Sequence, residues 1–77
     1  MDYINQQIAY IAKIRNLPAW DREFNYRIGF VESHIAKLRA FANLPNCSIR
    51  VKNAVNETAD RLQDQLETAI RQRYQNS

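Results

Sequence analysis

From Trp20 to Phe41 the chain sets Trp20, Phe24, Arg27, Val31, His34, Leu38 and Phe41 at alternating four- and three-residue steps. That spacing holds all seven side chains on one stripe of an α-helix, whereas a strand would scatter them over both faces. A seam of this kind packs against another helix. Ile28, Ile35 and Ala42 run alongside it. The same rhythm returns in Val51, Val55, Thr58, Leu62, Gln65 and Ala69, widened by Ala59, Leu66 and Ile70. An earlier stretch puts Ile4, Ile8, Ile11 and Ile14 on one face, with Tyr3 and Tyr10 at its side and Asn5, Gln6 and Lys13 opposite.

The breaks between these stretches are marked. Pro18 disfavours helical geometry at Leu17 and suits a first helical turn, with Asp21 and Glu23 where a helix dipole favours negative charge. Pro45 stops the second stretch, and Ser48 is a good N-cap for the third, as Asp2 is for the first. The echo of IRNLPAWD in FANLPNCSIRVK is therefore the same punctuation used twice. Helix 1 is predicted over about 2–15, helix 2 over about 18–42 and helix 3 over about 48–75 of a single 1–77 domain. The last residues, RQRYQNS, are polar and expected to fray. One glycine and two prolines in 77 residues leave too little turn chemistry for a many-stranded fold. Gly29, opposite the seam, marks either a propensity cost or a close contact with a neighbour.

The expected fold is all-α: a three-helix antiparallel bundle with a short helix 1 and a long helix 2–helix 3 hairpin. At ~1.5 Å rise per residue helix 1 is roughly 20 Å long and the others roughly 35–40 Å, so helix 1 cannot cover the whole hairpin. Leu38, Phe41, Val51 and Val55 are left as an apolar patch at a two-helix tip, to be covered by a homodimer or another protein.

Composition narrows the functional classes. Hydrophobic residues at 45% and charged residues at 25% describe a chain able to fold. No apolar run approaches the ~18 residues of a membrane span, so no membrane partner is expected, and the single cysteine fits a reducing, cytoplasmic setting. No phosphate-binding glycine loop or metal-ligand pattern is present, and no cofactor is expected. His34 and Cys47 are predicted ~10 Å or more apart along the helix axis, which disfavours an enzyme built on them. Arg27 and His34 instead read as a register-setting polar layer, with Asp60, Asp64, Gln65 or Glu67 of helix 3 as partners.

Two surfaces stand out. No acidic residue lies between Glu32 and Glu57, while Lys37, Arg39, Arg50 and Lys52 do, giving the second turn a positive potential that suits phosphate or nucleic acid. A second basic group, Lys13, Arg15, Arg22, Arg71 and Arg73, is expected at the other end. Among the aromatic residues, Trp20, Phe24 and Phe41 are assigned to the core. Tyr26 and Phe30 lie to one side of the seam and, with Arg22, have the chemistry of interface anchors. The function expected from these features is a small non-enzymatic protein–protein interaction module, an adaptor, regulator or inhibitor of a larger partner. An accessory protein of a phage or mobile element is one origin compatible with that role. The alternative is a nucleic-acid-binding protein that uses the basic tip.

Overall fold

The computed structural model describes residues 2–13 and 20–75 of the protein. The first NLP turn, with Ile14, Arg15 and Pro18, lies outside the described residues, as do the side chains of Asp2, Trp20 and Asp21. Three helices form: α1 (Asp2–Lys13), α2 (Trp20–Ala42) and α3 (Ile49–Gln75). The turn between α2 and α3 works as its residue types suggest. The Asn43 N–H donates to both the Arg39 carbonyl at 3.1 Å and the Ala40 carbonyl at 3.2 Å, tightening the end of α2. The Cys47 N–H then donates to the Leu44 carbonyl at 3.1 Å, closing a turn around Pro45. Ser48 Oγ accepts from the Val51 N–H at 3.3 Å, which is an N-cap at the position expected for one.

Cross-helix contacts give the direction of each helix. Tyr3 meets Phe30, Gln7 meets Arg27 and Tyr10 meets Glu23, so numbers rise along α1 as they fall along α2. Arg39 meets Asp60 and Phe24 meets Arg73, which reverses α3 relative to α2 in the same way. Counting at equal rise from the Phe24–Arg73 contact brings Ile28, Val31, Ile35, Leu38 and Ala42 level with Ala69, Leu66, Leu62, Ala59 and Val55. Two 4-3 stripes thus face each other. Ile4, Ile8 and Ile11 of α1 close over them, and together these side chains make the core.

The stripe that α2 buries differs from the seam read in the sequence. Val31, Ile35 and Ala42 are fully or almost fully buried, and Ile28 and Leu38 are partly so, whereas Arg27, His34 and Phe41 turn toward the side on which α1 lies. A 3.6-residue turn drifts ~20° per heptad, and α2 must serve two neighbours at once, so one apparent seam divides into a stripe for α3 and a stripe for α1. Phe41, assigned to the core by its spacing, is 51% exposed. On α3 the same drift sets Ala59 and Leu66 in the core, while Gln65 is exposed and Thr58 is half-buried, its hydroxyl returning to the Ala54 carbonyl at 3.0 Å.

Of RQRYQNS, expected to fray, Asn76 and Ser77 lie outside the described residues. The helix runs to Gln75, and Arg73 is only 5% exposed, with its guanidinium 5.3 Å from the centre of the Phe24 ring. Cation–π attraction and burial of the arginine stem hold this turn to α2. Gly29 meets no atom within 4 Å of where a Cβ would stand, so no neighbour requires a glycine there. Gly29→Ala is expected to raise stability by about 1 kcal/mol and the melting temperature by about 4–8 °C, measured by thermal circular dichroism.

Candidate functional site

α1 is short enough that its seat outruns it. Along α2 that seat is marked by Glu23, Arg27 and Phe30, which Tyr10, Gln7 and Tyr3 of α1 engage. At the same helical spacing the stripe continues through His34 and Leu38 to Phe41, beyond the reach of α1. On α3 the same flank carries Val51, Val55 and Thr58, which the count from Phe24–Arg73 sets level with positions 46, 42 and 39. The result is a slot that runs from the end of α1 to the turn, with Phe41 and Val51 exposed and His34, Leu38, Val55 and Thr58 half-buried. Leu38 packs against the core, so the four-residue patch expected from the sequence is open mainly at Phe41 and Val51. Leu44 and Ile49, also exposed, were not anticipated. The available signal was an apolar residue on each side of the Asn/Ser-rich turn, where no neighbouring helix can cover it.

Charge around the tip is less uniform than the sequence suggests. Arg39 is bound to Asp60 at 2.8 Å and cannot contribute its full charge to the tip. Among the described residues Lys37, Arg50 and Lys52 take part in no ion pair, and all three are exposed. At the other end Lys13, Arg22 and Arg71 are exposed, whereas Arg73 is buried.

The flank shared by α1 and α2 carries the second surface. Tyr3 and Phe30 meet edge to face, with centroids 5.7 Å apart and planes at 87°. Tyr26, 73% exposed, stands one turn before Phe30, and exposed Arg22 stands one turn before Tyr26. Arg27 does not reach helix 3 as expected. Its guanidinium donates to Gln7 Oε1 and to Glu23 Oε1 at 3.4 Å, and lies 4.1 Å from the centre of the Tyr10 ring. Of the partners expected for it on helix 3, Asp60, Asp64, Gln65 and Glu67, Asp60 is taken by Arg39. His34 Nε2 is buried without a hydrogen-bond partner, so the pair does not form one polar layer.

The Tyr10 hydroxyl donates to Glu23 Oε1 at 2.8 Å. That bond, made only by the protonated phenol, raises the Tyr10 pKa above the ordinary value, with desolvation and the Glu23 charge acting in the same direction. A group whose folded pKa is raised contributes stability that is fully present below its unfolded pKa and lost as pH rises through the folded value. Titration of phenolate absorbance should therefore show a late step from Tyr10, above about pH 10. Tyr10→Phe should remove that late step.

On the face away from α2, α1 and α3 leave a shallow groove of ≈ 490 Å³. Ile8, Ala9, Ala12 and Ala69 line it, together with polar residues that include Asn5, Asp64 and Gln72. Among its described lining residues Asp64 is the only ionisable one, so they offer no acid–base pair. Among the described residues no three of His, Cys, Asp or Glu come together as a metal site, and no helix is long and apolar enough to cross a membrane. Compared with known proteins, the chain matches no family model, no curated protein and no solved structure.

Proposed function

We propose that the chain is a non-enzymatic protein–protein interaction module, an adaptor, regulator or inhibitor that works in the cytoplasm by occupying a surface of a larger protein. The observation that carries this reading is the exposed row of Arg22, Tyr26 and Phe30 on α2, braced at Phe30 by Tyr3. Aromatic and arginine side chains on a rigid helix supply much of the energy at protein interfaces, because they bring large contact area at little ordering cost. A docking face needs nothing more. The groove between α1 and α3, by contrast, has no paired titratable groups among its described lining residues.

Affinity capture with the intact chain tests this reading when it is run beside Arg22→Glu and Tyr26→Ala, since all three side chains involved already face solvent. A stoichiometric partner retained by the wild type, lost from both variants and indifferent to nuclease is the expected result. An identical captured set from all three chains would rule out the α2 row as the docking face.

The acid-free interval supports one other reading, nucleic-acid binding through Lys37, Arg50 and Lys52, with Arg39 largely engaged by Asp60. Such binding would fall steeply with salt and with reversal of Arg50 and Lys52. A mobility shift at low salt that disappears in the Arg50→Glu, Lys52→Glu double variant would favour it over the protein-binding role.

A further inference from the structure

We propose that the Arg22, Tyr26, Phe30 row, continued through Ser33 to Lys37, docks an amphipathic helix of another protein that carries carboxylates toward both ends of its apolar stripe. This inference rests on the reading of the row as a docking face and adds the chemistry of what it docks. The five residues advance by steps of four, four, three and four, so they follow the axis of α2, and all of them are exposed. From Arg22 to Lys37 the row is about 22 Å long, which matches four turns of a second helix lying nearly along the first. Tyr26 and Phe30 stand between the two cations, Phe30 held edge to face by Tyr3. Gly29 has nothing within 4 Å of where a Cβ would stand, so the surface dips beside Tyr26 and can receive an apolar side chain of the partner.

Charge selects an acidic partner. Among the described residues Arg22 and Lys37 take part in no ion pair. Of the carboxylates on α2 whose side chains are described, Glu23 is held by Tyr10 and Arg27. Glu32 stands two residues from Phe30, about 200° round the helix, and so lies on another side of α2. Lys37 is level with Asp60, but Asp60 is bound at 2.8 Å by Arg39, again two residues and about 200° away from Lys37. The row therefore ends in two uncompensated cations. A partner with carboxylates at both ends of its stripe meets opposite charge twice, and one with lysines there meets like charge twice. Nucleic acid is the poorer fit, because two cations about 22 Å apart with aromatic rings between them do not make the dense basic stripe that a phosphate backbone calls for. Apolar anchors at helical spacing on a partner helix suit Tyr26, Phe30 and the dip between them.

The probe is a fluorescein-labelled amphipathic peptide of about 18 residues, with leucines along one face and glutamates at both ends of that face. Its control has lysines in place of the glutamates. Fluorescence anisotropy with the intact chain should show the glutamate peptide bound, less tightly as salt is added, and the lysine peptide unbound. In the Arg22→Glu, Lys37→Glu double variant the glutamate peptide should bind about tenfold more weakly and the lysine peptide should now bind. Gly29→Gln fills the dip while favouring the helix, and should weaken binding with helical circular dichroism unchanged. Equal affinity for the two peptides, or a glutamate peptide whose binding survives the double reversal, would overturn the proposal. So would loss of binding on Arg50→Glu, Lys52→Glu instead, which would place the peptide at the tip. A short DNA duplex bound more tightly than the peptide and released by the Arg22, Lys37 reversal would assign the row to nucleic acid and overturn it too. If affinity capture depends on Arg22 and Tyr26 while the glutamate peptide stays unbound, the row stands as a docking face and its acidic occupant is ruled out. If capture is indifferent to both residues, the reading of the row falls and this inference falls with it.

Discussion

Leu66→Ala should cost about 2–5 kcal/mol, because Leu66 is 1% exposed in the part of the core where α1, α2 and α3 all contribute side chains. Removing the side chain takes away the transfer energy of the lost atoms and leaves a cavity that three helices cannot all close at once. At ~0.05–0.15 kcal/mol per residue, a chain of 77 residues has roughly 4–12 kcal/mol in total. The variant is therefore expected to lose a large part of its stability, with a melting temperature at least ~10 °C lower. Thermal circular dichroism gives the answer. A loss below about 1 kcal/mol would mean that Leu66 is not packed as described.

A second large effect is expected at Arg73. Its stem is buried while its guanidinium lies 5.3 Å from the Phe24 ring and 5.4 Å from the Tyr74 ring, so both the charge and the carbon chain contribute. Arg73→Glu would place an anion against the negative face of an aromatic ring with little water near it, at a cost of about 3–5 kcal/mol. Arg73→Met keeps the stem and removes the charge, and should stay within about 1.5 kcal/mol of the wild type. The contrast is informative. If both substitutions are tolerated, the last turn of α3 is not anchored to α2.

Arg73 also shows where the sequence stops being legible. Within RQRYQNS two arginines, Arg71 and Arg73, stand among polar residues, and nothing local distinguishes the buried one from the solvated one. What buries it is Phe24, far away along the chain and level with it only once α2 and α3 are paired. The helices themselves were readable from periodicity, Pro45 and Ser48, because those signals are local. Phe41 was harder to place, since a 4-3 count treats a helix as having one partner and α2 has two. Position 41 belongs to the stripe for α1 and position 42 to the stripe for α3, and one residue of rotation decides between exposure and burial. Arg27 was misassigned for the same reason. Its partner was sought across the α3 stripe, and it was Gln7, Glu23 and Tyr10 that stood nearby.

The two candidate surfaces differ in how they arise. Arg22 and Tyr26 are exposed because they lie off both buried stripes of α2, and Phe30, at the edge of the α1 seat, extends their row, which makes it a face of a rigid element and not a gap in the packing. The tip is open for a different reason: α1 has 12 residues, α2 has 23 and α3 has 27, so the base of the hairpin has three layers and its end has two. Burial of Phe41 and Val51 therefore requires something that α1 does not supply.

The central claim, that the seat of α1 continues past α1 as an unfilled apolar slot, can be tested by filling it within one chain. About four helical turns added ahead of α1, with leucines continuing the Ile4, Ile8, Ile11 spacing, would lie over Leu38, Phe41, Val55 and Val51. The deciding measurement is the melting temperature of this extended chain at low protein concentration, against the same extension with serines in place of the leucines. A clearly higher value is expected for the leucine extension. Equal values for the two would contradict it, because they would mean that no apolar seat exists beyond the end of α1.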